Sequence, residues 1–385
     1  MEEWKEYKLG EISTMKYGKL SPNKCGKYPV WSGYRYVGTS EVMNCPKGTL
    51  VVVARGVGGT GDVKIAKEDC FLTNLSIAVN ICTTVCNPYY LYYKYLIKNL
   101  KYLDSGSAQS QITIDDLKRL QIKLPSLDYQ NRVVTVLKTL DNKIEVNKRI
   151  NENLEQQAQT LFKSWFVDFE PFKNQPFVES ELGMIPQGWR VGTLEEIGDV
   201  IGGSTPSKAK PEYYTEDGIA WLTPKDLSVS NAKFTDRGEI DITQEGYNSC
   251  STKLMPKGTV LFSSRAPIGY ITIAKNVICT NQGFKSVVPS YAGTAFIYCY
   301  LKAATPNIEN KATGSTFKEA SGSLMKSLQL VIAPKDIMDS FEERMKPIFA
   351  EQECVEDESR RLAELRDTLL PRLMSGEISV NEIEK

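Results

Sequence analysis

Apolar residues follow two distinct patterns along this chain. In the stretches "VVVARGVGGTGDVKIAK" (51–67) and "DVKIAKEDCFLTNLSIAVNI" (62–81) they form short runs or alternate with polar residues between Gly, Pro and Asn, which predicts strands. Elsewhere the spacing changes to steps of four and three. Val133, Leu137, Leu140, Ile144, Asn147, Asn151, Leu154, Ala158, Leu161 and Trp165 form one such seam, and Phe341, Met345, Ile348, Gln352, Val355, Ser359, Leu362, Arg366, Leu369 and Leu373 form a second. Each predicts a helix of about 40 residues, about 60 Å long at 1.5 Å per residue. No proline interrupts the first, whereas Pro347 is expected to kink or delay the second. Several seam positions are polar, so two amphipathic helices on separate cores remain an alternative to one antiparallel coiled coil. In the coiled-coil reading Asn147 lies near Ser359 and Ile144 near Leu362.

The two patterns occur twice. "PKGTLVVVARGVGGTGDVKIAK" (46–67) matches "PKGTVLFSSRAPIGYITIAK" (256–275), which sets Arg55 against Arg265 and Gly61 against Gly269. The repeat extends through Trp4 and Trp189, Leu9 and Leu194, Thr73-Asn74 and Thr280-Asn281, Gly106-Ser107 and Gly314-Ser315, Leu120 and Leu328, and Pro125 and Pro334. An aromatic helix is predicted in each copy, "PYYLYYKYLIKNL" and "TAFIYCYLKAA", and the second copy adds "GGSTPSKAKPEYYTEDGIAWLTPKDL" (202–227), with loop chemistry throughout. The predicted fold class is α+β: two β-rich α/β domains separated by two long antiparallel helices, with a pseudo-twofold internal repeat. The expected boundaries are 1–125 for the first domain, 126–170 for the first helix, 171–335 for the second domain with a linker at 171–186, 336–376 for the second helix, and 377–385 for a tail.

Composition removes several classes of chemistry. A chain of 385 residues that is 41% hydrophobic has enough apolar surface for two or three cores. Its nine cysteines form no C-x-x-C pair, "MEEWKEYKLG" does not read as a signal peptide, and reduced thiols in a cytoplasm are expected. There is no histidine, which excludes Ser-His-Asp, Cys-His and H-E-x-x-H sites and makes zinc a poor expectation. Net charge is zero, but the first sixty residues carry an excess of Lys and Arg while the last fifty are dominated by Glu and Asp. That polarity implies two kinds of partner.

Two motifs resemble enzyme signatures and fail on context. Gly56, Gly58 and Gly61 fit G-x-G-x-x-G, but a dinucleotide loop needs a helix directly after the glycines and the sequence predicts a strand; the second copy also lacks the fingerprint. Asn87-Pro88-Tyr89-Tyr90 resembles the base-accepting motif of DNA amino-methyltransferases, yet it lacks the second proline, and Pro88 fits the first turn of the aromatic helix.

Two similar, non-identical readers on a rigid spacer suit a duplex with two unlike half-sites. The candidate DNA-contacting groups are Arg55 and Arg265 for guanine or phosphate, and Asn74, Asn281 and Gln282 for adenine. Ser107, Gln109 and Gln111 in "SGSAQSQIT", with Ser315 and Thr316 in "ATGSTFKEA", supply a polar loop. Lys19, Tyr34, Arg35, Lys208 and Lys225 sit in similar glycine- or proline-marked segments. A solvated surface position is the competing role for each of these. For Arg55 and Arg265 it is a structural ion pair at the end of a shared strand.

The openings at Trp4 and "IPQGWRVGTL", with "LFKSWFVDFEPF" and "LAELRDTLLPRLMSGEI" closing the two helices, resemble the specificity subunits of type I restriction–modification systems over nearly the whole chain. The resemblance implies two target recognition domains separated by two helices, and a non-catalytic subunit that binds double-stranded DNA at an asymmetric bipartite site. It also implies a cytoplasmic assembly with two methylation subunits and with restriction subunits. S-adenosylmethionine, ATP and magnesium are then expected on those partners and no cofactor in this chain. A stand-alone bipartite DNA-binding regulator is the competing class, which leaves the acidic, heptad-bearing helices without a purpose.

Overall fold

The computed structural model describes residues 4–20, 25–56, 59–104, 110–229, 232–314, 318–378 and 380. The chain divides into two compact units, Met1–Ile144 with Arg361–Lys385, and Glu145–Arg360.

In the first unit four strands lie in the order Ser13–Tyr17, Ser76–Ile81, Leu50–Val53, Val63–Ile65, each antiparallel to its neighbour. Side chains alternate across a strand. Leu50, Val52, Ile77 and Val79 therefore join Tyr90 and Leu91 of the helix Pro88–Ile97 in one core, while Val51 and Ala78 pack with Cys45, Cys70 and Leu72 on the other face. Burial on both faces explains the unbroken apolar run at 50–53.

The second unit repeats this frame as Gly198–Gly202, Lys285–Pro289, Val260–Ser264 and Ile268–Ala274, and adds the parallel edge strand Phe234–Thr235. The repeat extends to single hydrogen bonds. The Leu9 amide donates to the Leu120 carbonyl and the Leu194 amide to the Leu328 carbonyl, both at 2.9 Å. Gly48 donates to Ala66 and Gly258 to Ala274, both at 2.8 Å. These two glycines turn with φ of 84° and 87°, a left-handed conformation that fixes glycine in both Pro-Lys-Gly-Thr turns. A short pair also recurs, Lys5–Lys8 with Gln121–Leu124 and Arg190–Thr193 with Gln329–Ile332.

Segment 202–227, expected as loop, contains Tyr214–Thr215, Trp221–Leu222 and the helix Pro224–Val229. Strands of two residues are too short to show periodicity. The expected linker at 171–186 holds a hairpin, Phe177–Ser180 with Gly183–Pro186, and Phe172 and Ile185 are buried in the core of the second unit.

The long helices are Leu127–Phe166 and Lys335–Ser375, and Pro347 does not delay the second. Every seam residue named above is buried or half-buried. The helices pack on each other and run antiparallel within each unit, which removes the separate-core alternative. In the first unit the Tyr129 hydroxyl lies 3.2 Å from the carbonyls of Leu373 and Ile378, and Arg366 pairs with Asp141 at 2.9 Å. In the second, Asn147 donates to Glu358 at 2.7 Å and Asn151 to Glu356 at 2.8 Å. Asn147 thus meets the neighbour of Ser359, whose hydroxyl turns back to the Val355 carbonyl of its own helix.

A buried lysine anchors the added edge strand to these helices. Lys233 Nζ lies 2.9 Å from Glu155 Oε2 and 2.6 Å from Gln352 Oε1, and 3.4 Å above the Phe349 ring. The backbone amides of Lys233 and Phe234 donate to Glu356 at 2.9 and 3.1 Å. Burial alone would push the Glu155 carboxyl up, but Lys233 and Lys302 beside it hold it down at about 2. No helix among the described residues is long and apolar enough to cross a membrane.

Candidate nucleic-acid interface

The two enzyme-like motifs have structural roles. The glycine loop joins Leu50–Val53 to the strand Val63–Ile65, so no helix N-terminus follows it. At Gly61, with φ of 91°, a Cβ would come within 2.4 Å of the Lys101 amide nitrogen, so close backbone packing requires glycine there. Asn87 caps the aromatic helix. Its Oδ1 accepts from the Tyr89 amide at 2.9 Å and its Nδ2 donates to Asn131 at 2.8 Å, with Pro88 as the first helical residue. Both ends of the amide that would receive a flipped base are engaged. No cluster of metal-ligating residues occurs among the described residues.

One end of the first unit's sheet collects most of its sequence-derived candidates. Lys19 is exposed and bridges Thr73, whose hydroxyl donates to Ser32 at 3.1 Å. Asn74 follows in a half-buried turn, and the Arg55 amide donates to the Leu75 carbonyl at 3.2 Å. Arg55 forms a β-bridge with Gln111, and its buried Nε has no hydrogen-bond partner among the described residues. Tyr34 and Arg35 are exposed at the turn of the hairpin Tyr28–Ser32 and Arg35–Ser40. The Arg35 guanidinium and the Lys64 ammonium sit 5.4 and 5.8 Å from the Tyr34 ring centre. Burial lowers the pKa of Lys64. The result is a cationic, aromatic and amide-bearing surface, able to stack on or hydrogen-bond with nucleic acid.

The second unit builds the same end with other side chains. Trp31 pairs in parallel with Leu72, and Trp221 pairs in parallel with Cys279, so the two tryptophans are equivalent. The chain then turns back as the Tyr34 hairpin in the first unit and becomes the helix Pro224–Val229 in the second. Gln282 is exposed and its Oε1 accepts from the Thr205 hydroxyl, while Asn281 Oδ1 accepts from the Gly283 amide at 2.8 Å. Arg265 bridges Glu319 as Arg55 bridges Gln111, but here a carboxylate lies 3.7 Å from the arginine and 3.3 Å from Lys285.

Lys208 is exposed in the turn closed by the Lys210 amide and the Ser207 carbonyl. Lys225 is exposed and ion-paired to Glu239 at 2.8 Å. Ser107, Gln109, Ser315 and Thr316 lie outside the described residues. Lys64, Thr205, Lys285 and Glu319 were missed. Only Glu319 left a trace in the sequence, because it occupies the repeat position of Gln111.

Both halves of this frame match a known domain. Residues 1–156 and 186–351 fit the type I restriction modification DNA specificity domain. The chain belongs to the family of type I restriction–modification specificity subunits. The MjaIX specificity subunit of Methanocaldococcus jannaschii is 42% identical over 157 residues, which cover 40% of this chain and 36% of that one. The HindI specificity subunit of Haemophilus influenzae is 28% identical over 329 residues, 70% of this chain and 71% of the relative. A crystal structure of the S subunit from M. genitalium shares the fold, with a TM-score of 0.68 at 19% identity over 97% of this chain and 96% of that one.

Proposed function

We propose that this DNA-binding specificity subunit recognises an asymmetric bipartite duplex site, one segment per recognition domain (1–125 and 171–335), and directs methylation and restriction subunits to it. The observation that supports this most is one backbone frame, repeated to the hydrogen bond, that ends in Arg55 and Gln111 in one unit and Arg265 and Glu319 in the other. Equivalent surfaces with unlike side chains suit unlike half-sites. In this reading the chain is cytoplasmic and non-catalytic, and S-adenosylmethionine, ATP and magnesium belong to the partner subunits. Site selection from a randomised duplex pool by the chain assembled with its methylation subunits should return two fixed segments separated by an unspecified gap. A single continuous segment would refute the bipartite reading. Calorimetric titration of the isolated chain with S-adenosylmethionine should give no saturable heat.

A further inference from the structure

We infer that Glu319 is a specificity-determining residue of the second unit, where its carboxylate selects for a cytosine exocyclic amino group and against segments that lack one. This deepens the proposed function and rests on its reading of the Arg265 end as DNA-facing. The corresponding pairs Leu50 with Val79 and Val260 with Val287 align the sheets. Lys285 then occupies the place of Ile77, which is fully buried, and Glu319 the place of Gln111. The first unit presents Arg55 here, and its nearby Asp104 carboxylate is taken up by the Gln111 amide at 2.8 Å and by the Ser110 hydroxyl. The second presents two cations, Arg265 and Lys285, on the side-chain carboxylate of Glu319.

The Glu319 carboxylate is 39% exposed, between Arg265 at 37% and Lys285 at 17%, so it stays open to a ligand while paired, and its link to Arg265 contributes little to stability. Facing a duplex, by contrast, a carboxylate is repelled by phosphates and can only accept hydrogen bonds, which suits it to the cytosine amino group. Gln111 both donates and accepts, so the first unit lacks this exclusion. Glu319 also neutralises one of its two neighbouring cations until DNA offers a better partner, and so restrains sequence-independent phosphate binding.

The test uses the chain assembled with its methylation subunits, a randomised duplex pool, and salt titration on the selected duplex. Glu319→Gln should leave the first segment unchanged, lose a cytosine preference at one position of the second, and steepen the salt dependence by about one unit of slope. Adding Lys285→Ile should return the slope to its original value. Gln111→Glu should impose a cytosine preference on the first segment, a gain that misfolding cannot mimic. The inference is overturned if Glu319→Gln selects the original second segment with the original slope while Arg265→Ala alters that segment. If neither substitution alters it, the DNA-facing reading of this loop end fails as well.

Discussion

The two units repeat one sheet architecture but are joined to the long helices by different chemistry. In the first, Val133, Leu137, Leu370 and Leu373 make an apolar contact, and Asp141 holds Arg366 at 2.9 Å and the Tyr93 hydroxyl at 2.6 Å. In the second, Lys233, Glu155, Gln352 and Glu356 form a buried polar node that also captures the added edge strand. The Lys233 side chain is 4% exposed, whereas Arg366 and Asp141 are 22% and 28% exposed. A short segment carrying an edge strand of two residues has little apolar surface with which to hold its place. Directional bonds to a desolvated charge fix its position instead, and such bonds favour one arrangement more than they add stability.

The largest expected effect tests that difference. Lys233→Met leaves Glu155 and Gln352 facing an aromatic cage and should destabilise the chain by about 3–5 kcal/mol in denaturant titration. Arg366→Leu in the first unit should cost less, about 1–3 kcal/mol; equal losses would mean that the two anchorages are alike. Next come the loop ends. Arg55→Ala and Arg265→Ala should each weaken recognition of a different single segment by about 1–3 kcal/mol if bidentate to guanine, as read by site selection. Uniform weakening across sequences would mark phosphate contacts instead.

Smaller near neutral pH is the titration of Glu155. Its folded carboxyl is held down at about 2 from an ordinary 4.5, so its contribution is present above about 4.5 and is lost as pH falls toward 2. Denaturant titrations at falling pH should show wild type converging on Glu155→Gln in that window, and curves that stay parallel would contradict the assignment. Smallest of all, Lys302→Met removes a 2.6 Å pair to Glu155 whose lysine is 41% exposed, and should cost no more than about 1 kcal/mol.

What the sequence revealed was what it repeated or spaced regularly. The Pro-Lys-Gly-Thr turns, the paired Leu9 and Leu194, the helical seams and the first-turn Pro88 all emerge in the structure as read, because each depends on local geometry or period. The equivalence of Trp31 and Trp221 was hidden, since a hairpin follows one and a helix the other. Lys233 looked like any lysine in a polar stretch. Its role depends on Glu155 and Gln352, far away in sequence, and no local pattern encodes that meeting. Among the candidate DNA-contacting groups, Arg55 and Arg265 are visible as a duplicated pair, but the exchange of Gln111 for Glu319 acquires meaning only once both lie opposite the arginines. Lys225 shows a similar limit: its exposed ion pair with Glu239 forms across a fold that composition cannot foresee.

The distribution of indole rings gives the two units different optical signatures. Trp165, Trp189 and Trp221 are buried in the second unit, the first two packed edge-on or tilted against phenylalanines, while Trp4 and Trp31 are half-buried in the first. Tryptophan emission should therefore weight the second unit's unfolding, whereas far-ultraviolet dichroism averages over the whole chain. If the units melt separately, the two signals will follow different curves, and their divergence will show which unit opens first.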